Sequence, residues 1–226
     1  MAVIFGGWGN TLEDLRKCND FIADCYRRCR DRFIPFMCCN PRFEEESVEE
    51  LERCVKMKVF KGIKTHPDSM VYPANTEAMV PLMENAEKYD LVVGIHSSFG
   101  IYSHPMIIGD LSNDFPNVKV ILQHMAGNTN IARELQSIKV AKKNQNVYLE
   151  TSFSHPYPIR KAVESIGAER ILYGSDTGGK GLEYEKPHYF LLIQMDAIRV
   201  LDLHKEQEEL ILGGNAARLF RVEQRR

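Results

Sequence analysis

Short apolar runs recur along the chain, GIK, LVVGI, KVILQ, NVYL and RILYG among them, at intervals of roughly 25–31 residues, the spacing of successive strand–helix units. They predict strands at 2–5, 33–38, 62–64, 92–96, 118–123, 147–150 and 171–173, each followed by a helix-like segment. The first helix has a capping-box-like start in Thr11 and Asp14. Leu12, Leu15, Cys18, Phe21, Ile22 and Cys25 then keep one apolar face. Further helices fall at 47–57, 76–89, 107–114, 131–143, 158–166, 186–200 and 205–211. Such alternation means an α/β fold of parallel strands with crossover helices. Polar residues stand just past the strands: Lys64, His66, His96, His124, Glu150 and Asp176. In a parallel sheet or barrel these ends share one face, where enzymes of this architecture keep their chemistry.

Composition narrows the picture. The 226 residues are 44% hydrophobic with a net charge of -2, which suits one globular domain over 1–226 and argues against a nucleic-acid partner. No apolar stretch approaches the ~20 residues that span a bilayer, and MAVIFGGWGN lacks the zones of a signal peptide, so the expectation is a cytoplasmic protein without a membrane partner. Cys18, Cys25, Cys29 and Cys54 fall in helical patterns, and Cys38 and Cys39 are neighbours at a strand end. Reduced thiols are expected, since no CxxC pair suggests zinc or redox chemistry. TGGKGLEYEKP reads as a mobile loop over the active face; with neither GxxxxGK[ST] nor GxGxxG present, it is not read as a nucleotide site.

A closed barrel of strand–helix units needs eight strands and usually ~250 residues. With seven strands, and a strand that starts directly after Met1, the expected architecture is an incomplete TIM barrel lacking its first strand–helix unit.

The motifs VILQHMAG, GIHSS, GIKTHP, RILYGSD and ILGGNAARLF, in this order of strands, resemble the amidohydrolase-related family of metal-dependent hydrolases, which includes relatives of aminocarboxymuconate-semialdehyde decarboxylase. The resemblance runs from about Phe33 to the C-terminus and implies a distorted (β/α)8 barrel. It also implies that His96 is a metal ligand, that Asp176 is both metal ligand and proton carrier, and that His124 polarises substrate or bound water. One divalent metal, zinc, is the implied cofactor; it would lower the pKa of bound water from ~15.7 toward ~7. Asn215 in GGNAARLF would cap a final helix whose Ala217, Leu219 and Phe220 pack on the barrel.

Each assignment has a plainer alternative. His96 can be a core histidine bonded to a carbonyl, Asp176 a capping residue in SDTG, and His124 a pin for its turn. Lys64, with His66 beside it, can bind a substrate carboxylate, or can form a structural ion pair with Glu150 or Asp176. Glu150 can support a ligating histidine or balance Lys64. His104 and His155, both in His-Pro pairs, read as loop residues. His188 and His204 sit in surface-like helical context.

The family's HxH pair at the first strand has no counterpart here, so two of four usual ligands are missing. Catalytic zinc normally keeps three protein ligands. His66, His104, His124 or His155 would have to substitute, or the metal is weakly held, or the chain is a truncated relative. Unpaired edges at 2–5 and 171–173 would favour a homodimer, a higher homo-oligomer, or an open barrel covered by loops. The functional expectation is a metal-dependent hydrolase acting through activated water on a small carboxylate- or amide-bearing molecule. The alternatives are a non-oxidative decarboxylase, or an inactive remnant serving as a binding or assembly module. Phe99, Tyr102, Phe153 and Tyr157 in SSFGIYSHP and SHPYP suggest a ring-sized or planar substrate.

Overall fold

A computed structural model describes residues 1–7, 9, 11–98, 100–177 and 187–222, the side chains of 187–190 excepted. The strands are β1 (Ala2–Ile4), β2 (Phe33–Cys38), β3 (Gly62–Thr65), β4 (Val92–Ile95), β5 (Val120–Leu122), β6 (Val147–Glu150) and β7 (Ile171–Leu172). All neighbours pair in parallel, in the sequential order β1 to β7. This is the topology of a TIM barrel short of one strand. The helices are α1 (Leu12–Arg28), α2 (Glu44–Lys56), α3 (Pro67–Met70), α4 (Val80–Lys88), α5 (Pro105–Asp114), α6 (Ile131–Lys143), α7 (Pro156–Ile166), α8 (Pro187–Arg199), α9 (Lys205–Glu209) and α10 (Asn215–Leu219).

Strand periodicity sorts the core into two layers. Met37, Ile63, Val93, Ile95, Val120, Leu122, Val147, Leu149 and Ile171 point outward under the helices, meeting Leu51, Cys54, Leu82 and Met83. Their alternates Ile34, Phe36, Val92, Ile121 and Leu172 fill the concave interior, which Phe220 closes with an edge-on contact to Phe36 at 5.6 Å. Each buried side chain of this size contributes about 1.5–3 kcal/mol. The alternation runs on past the apolar layer, so Lys64, His96 and Glu150 occupy interior positions at the strands' C-terminal ends.

Thr11 caps α1 as expected, accepting the Asp14 N–H at 3.1 Å. Asn215 departs from its expected capping role. It is buried in the first turn of α10, and its amide donates to the carbonyls of Ala168 and Ile171, both at 2.7 Å. The Ala168 carbonyl already accepts the Ile171 N–H, so the Asn215 amide brings it a second donor while also serving the Ile171 carbonyl, which ties α10 to β7. The helix expected over 205–211 ends at Glu209, and a wider turn over Leu210–Gly214 follows. That turn presents the Ile211 carbonyl to the Tyr173 N–H at 2.9 Å, covering part of the β7 edge. All six cysteines are free, with Cys38, Cys39 and Cys54 buried. Among the described residues no helix is long and apolar enough to cross a membrane.

Candidate active site

The site is built on the C-terminal ends of β3 to β7. Lys64 is 1% exposed on β3, and its ammonium donates to Gln123 Oε1 and to the Thr65 carbonyl. Burial lowers its pKa to about 7, against the opposing pull of Cys38, Asp176 and Glu150. His66 follows β3 and opens α3, where Nδ1 accepts the Ser69 N–H at 3.2 Å. Its ring stacks on that of His96 at 3.6 Å between centroids, with an interplanar angle of 12°. Desolvation, reinforced by the charge of Lys64, holds His66 at about 3 and His96 lower still, so both imidazoles are neutral.

His124 sits in a left-handed turn. Its φ is 57°, and Met125 and Ala126 follow at 45° and 60°. Non-glycine residues held there cost roughly 1–3 kcal/mol each and cluster at functional sites. The turn is held by Glu150, whose Oε2 accepts the His124 backbone N–H at 3.0 Å. It carries the imidazole to His96, with 3.2 Å between His124 Nε2 and His96 Nδ1, and to Ser152, with 2.7 Å between His124 Nδ1 and Ser152 Oγ. Burial keeps His124 at about 4.

Glu150 also accepts the Ser152 N–H at 2.7 Å and the Ser152 hydroxyl at 2.8 Å. Its carboxylate lies against β7, where a Cβ on Gly174 would come within 1.6 Å of Oε1. Asp176, at the exposed rim beyond β7, is left-handed with φ 48°. Its carboxyl titrates above the usual range, mainly through desolvation and then the nearby Glu150, while His124 and Lys64 pull it down.

The structure therefore joins His66, His96 and His124 directly and sets Lys64, Glu150 and Asp176 within electrostatic range of them. Glu150 supports His124 through its backbone and through Ser152. His104 lies apart as the cap of α5, its Nδ1 accepting the Met106 N–H, and His155 opens α7 without a side-chain cap bond. Phe153 packs 5.7 Å from the His124 ring, whereas Tyr157 is 55% exposed on α7. Phe99 and residues 178–186 of the expected loop lie outside the described residues. Sequence reading missed Ser152, Gln123 and Gly174. For Ser152 a signal was present: it stands two residues past Glu150, on the same face by strand periodicity.

The described residues only partly fit the implied metal. His96 Nε2 and the Asp176 carboxylate are suitable donors, but no three His, Cys, Asp or Glu among the described residues come together as a metal-holding group. That is short of the three protein ligands of a catalytic zinc.

Known proteins similar to this chain include a hydratase and decarboxylases. A curated relative, 2-keto-4-carboxy-3-hexenedioate hydratase of Sphingobium sp., is 27% identical over 90% of this chain and 70% of its own. Gamma-resorcylate decarboxylase of Polaromonas sp. is 24% identical over 93% and 77%. The crystal structure of a Polaromonas dihydroxybenzoic acid decarboxylase with bound manganese and the inhibitor 2-nitroresorcinol superposes with a TM-score of 0.69 at 19% identity, over 95% of this chain and 76% of its own. The amidohydrolase family model matches residues 5–222, nearly the whole sheet, the histidine-bearing strand ends and the closing helix, and the chain belongs to that family.

Proposed function

We propose that this chain is a lyase acting on a small carboxylate-bearing molecule, either removing CO2 from it or adding water to it. The observation that carries the reading is the linked array of neutral imidazoles beside Asp176. Both reactions need a proton moved at a defined place, and a rim carboxyl raised above its usual range, beside imidazoles that burial keeps neutral, is a group that can carry one. Asp176, at the rim, exchanges the proton with substrate or water, and His124, whose two ring nitrogens are engaged by Ser152 and His96, holds His96 in place beside it. Lys64 attracts the substrate carboxylate by its charge from beneath the face, with His66 lining the same end of β3. The curated relatives, a hydratase and a decarboxylase, support lyase chemistry. A divalent ion, zinc or manganese, would supply Lewis acidity at His96 and Asp176, but the donor set is short of a full site and no step is assigned to it.

Hydrolysis through an activated water is the second reading, favoured by the family model itself. The test follows dihydroxybenzoates, unsaturated keto-diacids, and simple amides and lactones by proton NMR with the full chain, with and without added manganese or zinc. CO2 loss or hydration, abolished by Asp176→Asn in a folded variant, is the expected result. Amide or lactone cleavage alone would replace the lyase reading with the hydrolase one. Full activity in Asp176→Asn would remove Asp176 from the mechanism.

A further inference from the structure

We infer that Glu150 and Ser152 are positioning residues that set the proton arrangement of two histidines at once, holding His96 as the Nδ1–H tautomer with its lone pair on Nε2. The argument follows the direction of each hydrogen bond. Burial pushes the Glu150 carboxyl above its usual range, but backbone N–H groups donate to both its oxygens, Ser152 at 2.7 Å and His124 at 3.0 Å, and with donors on each oxygen it serves as an acceptor only. The Ser152 hydroxyl must then donate to Glu150, at 2.8 Å. With its proton so committed, Ser152 Oγ can only accept from His124, at 2.7 Å, so His124 carries its proton on Nδ1. A neutral imidazole with Nδ1–H accepts at Nε2, and the proton in the 3.2 Å contact therefore belongs to His96 Nδ1. His96 is left with an unprotonated Nε2, to which no described residue hydrogen-bonds.

The consequence rests on the proposed function. A ring nitrogen with a free lone pair, fixed in place, can bind an electrophile at the active face. The ordinary preference of free histidine, Nε2–H, would block this. The chain Glu150–Ser152–His124–His96 works against that preference although neither Glu150 nor Ser152 hydrogen-bonds to His96. Gly174 belongs to the device, since any side chain there would occupy the space of the carboxylate. His66 and His104 run the other way and serve as internal references. Each accepts a backbone N–H at Nδ1, at 3.2 and 3.1 Å, which puts its own proton on Nε2.

The test is long-range proton–nitrogen correlation spectroscopy on the full chain labelled with 15N-histidine, at neutral pH without substrate, with assignments from His96→Gln and His124→Gln. His96 and His124 are expected as Nδ1–H, and His66 and His104 as Nε2–H. Ser152→Ala removes the acceptor of His124, so both His124 and His96 should switch to Nε2–H although Ser152 does not touch His96, and Ser152→Thr should restore them. Turnover in Ser152→Ala should fall by about 10–100-fold, as for other partners that orient an active histidine. Finding His96 as Nε2–H in the unaltered protein, or unmoved in Ser152→Ala while His124 switches, overturns the inference. The spectra need no turnover, so an inactive protein with the expected tautomers would count against the proposed activity and leave this inference standing.

Discussion

Replacing Gly174 with alanine adds a single methyl group, and the structure says where it goes. Its Cβ would stand 1.6 Å from Glu150 Oε1 and 2.4 Å from the carboxyl carbon, where ordinary contact begins near 3.4 Å. The carboxylate must therefore retreat by nearly 2 Å, which breaks its bonds to the Ser152 N–H, the Ser152 hydroxyl and the His124 N–H, now 2.7–3.0 Å long. Stranding two buried N–H groups costs about 1–3 kcal/mol each, so a loss of about 3–5 kcal/mol is expected. That is a large fraction of a typical 5–15 kcal/mol stability. The backbone of Gly174 is not left-handed, so alanine itself is tolerated there and the penalty lies in the collision. A double-mutant cycle isolates it. In a Glu150→Ala background Gly174→Ala should cost less than about 1 kcal/mol, because the colliding group has gone. Urea unfolding of the four proteins provides the measurement. Equal costs in both backgrounds would refute the reasoning and place the glycine requirement elsewhere.

Three further outcomes are expected. Lys64 binds its proton less tightly in the folded protein, at about 7 against 10.5, so the unfolded chain holds more protons between these values and stability rises with pH across the window. The contribution approaches ~1.4 kcal/mol per pH unit. Lys64→Met should remove it, and matching slopes for the two proteins would show that Lys64 is not desolvated. Asn215→Ala takes the amide donor from the Ile171 carbonyl and a second donor from the Ala168 carbonyl, which keeps the Ile171 N–H, and should cost about 2–3 kcal/mol in thermal or urea unfolding, where a cap alone would cost nearer 1. Elemental mass spectrometry after loading with zinc or manganese should find an ion that dialysis against a chelator removes and that His96→Ala binds less. Stoichiometric metal surviving dialysis and indifferent to His96 would mean that the ligands lie elsewhere.

Fold class was legible because strand and helix periods are local. The run GIK and the run LVVGI announce β3 and β4 without reference to anything distant, and the same alternation that buries Ile63 and Val93 under the helices turns Lys64 and His96 inward. Strand order followed as well, since short connections between parallel strands leave little besides sequential pairing. The candidate residues Lys64, His66, His96, His124, Glu150 and Asp176 were likewise visible, because each stands at or just past a strand end.

Tertiary structure decided how those residues are wired. Ser152 and Gly174 carry little signal as residue types; they matter because β6 and β7 lie side by side and their ends enclose one carboxylate. Asn215 offered a cap by local rules, yet its amide goes to two carbonyls more than forty residues away, a competition that only three dimensions can arrange. The left-handed turn at His124 is unfavourable locally and persists because Glu150, on another strand, holds its N–H. Protonation follows the same division. The sequence names the histidines, but burial and the partner on the opposite ring nitrogen decide their charge and tautomer, and both are properties of the assembled sheet.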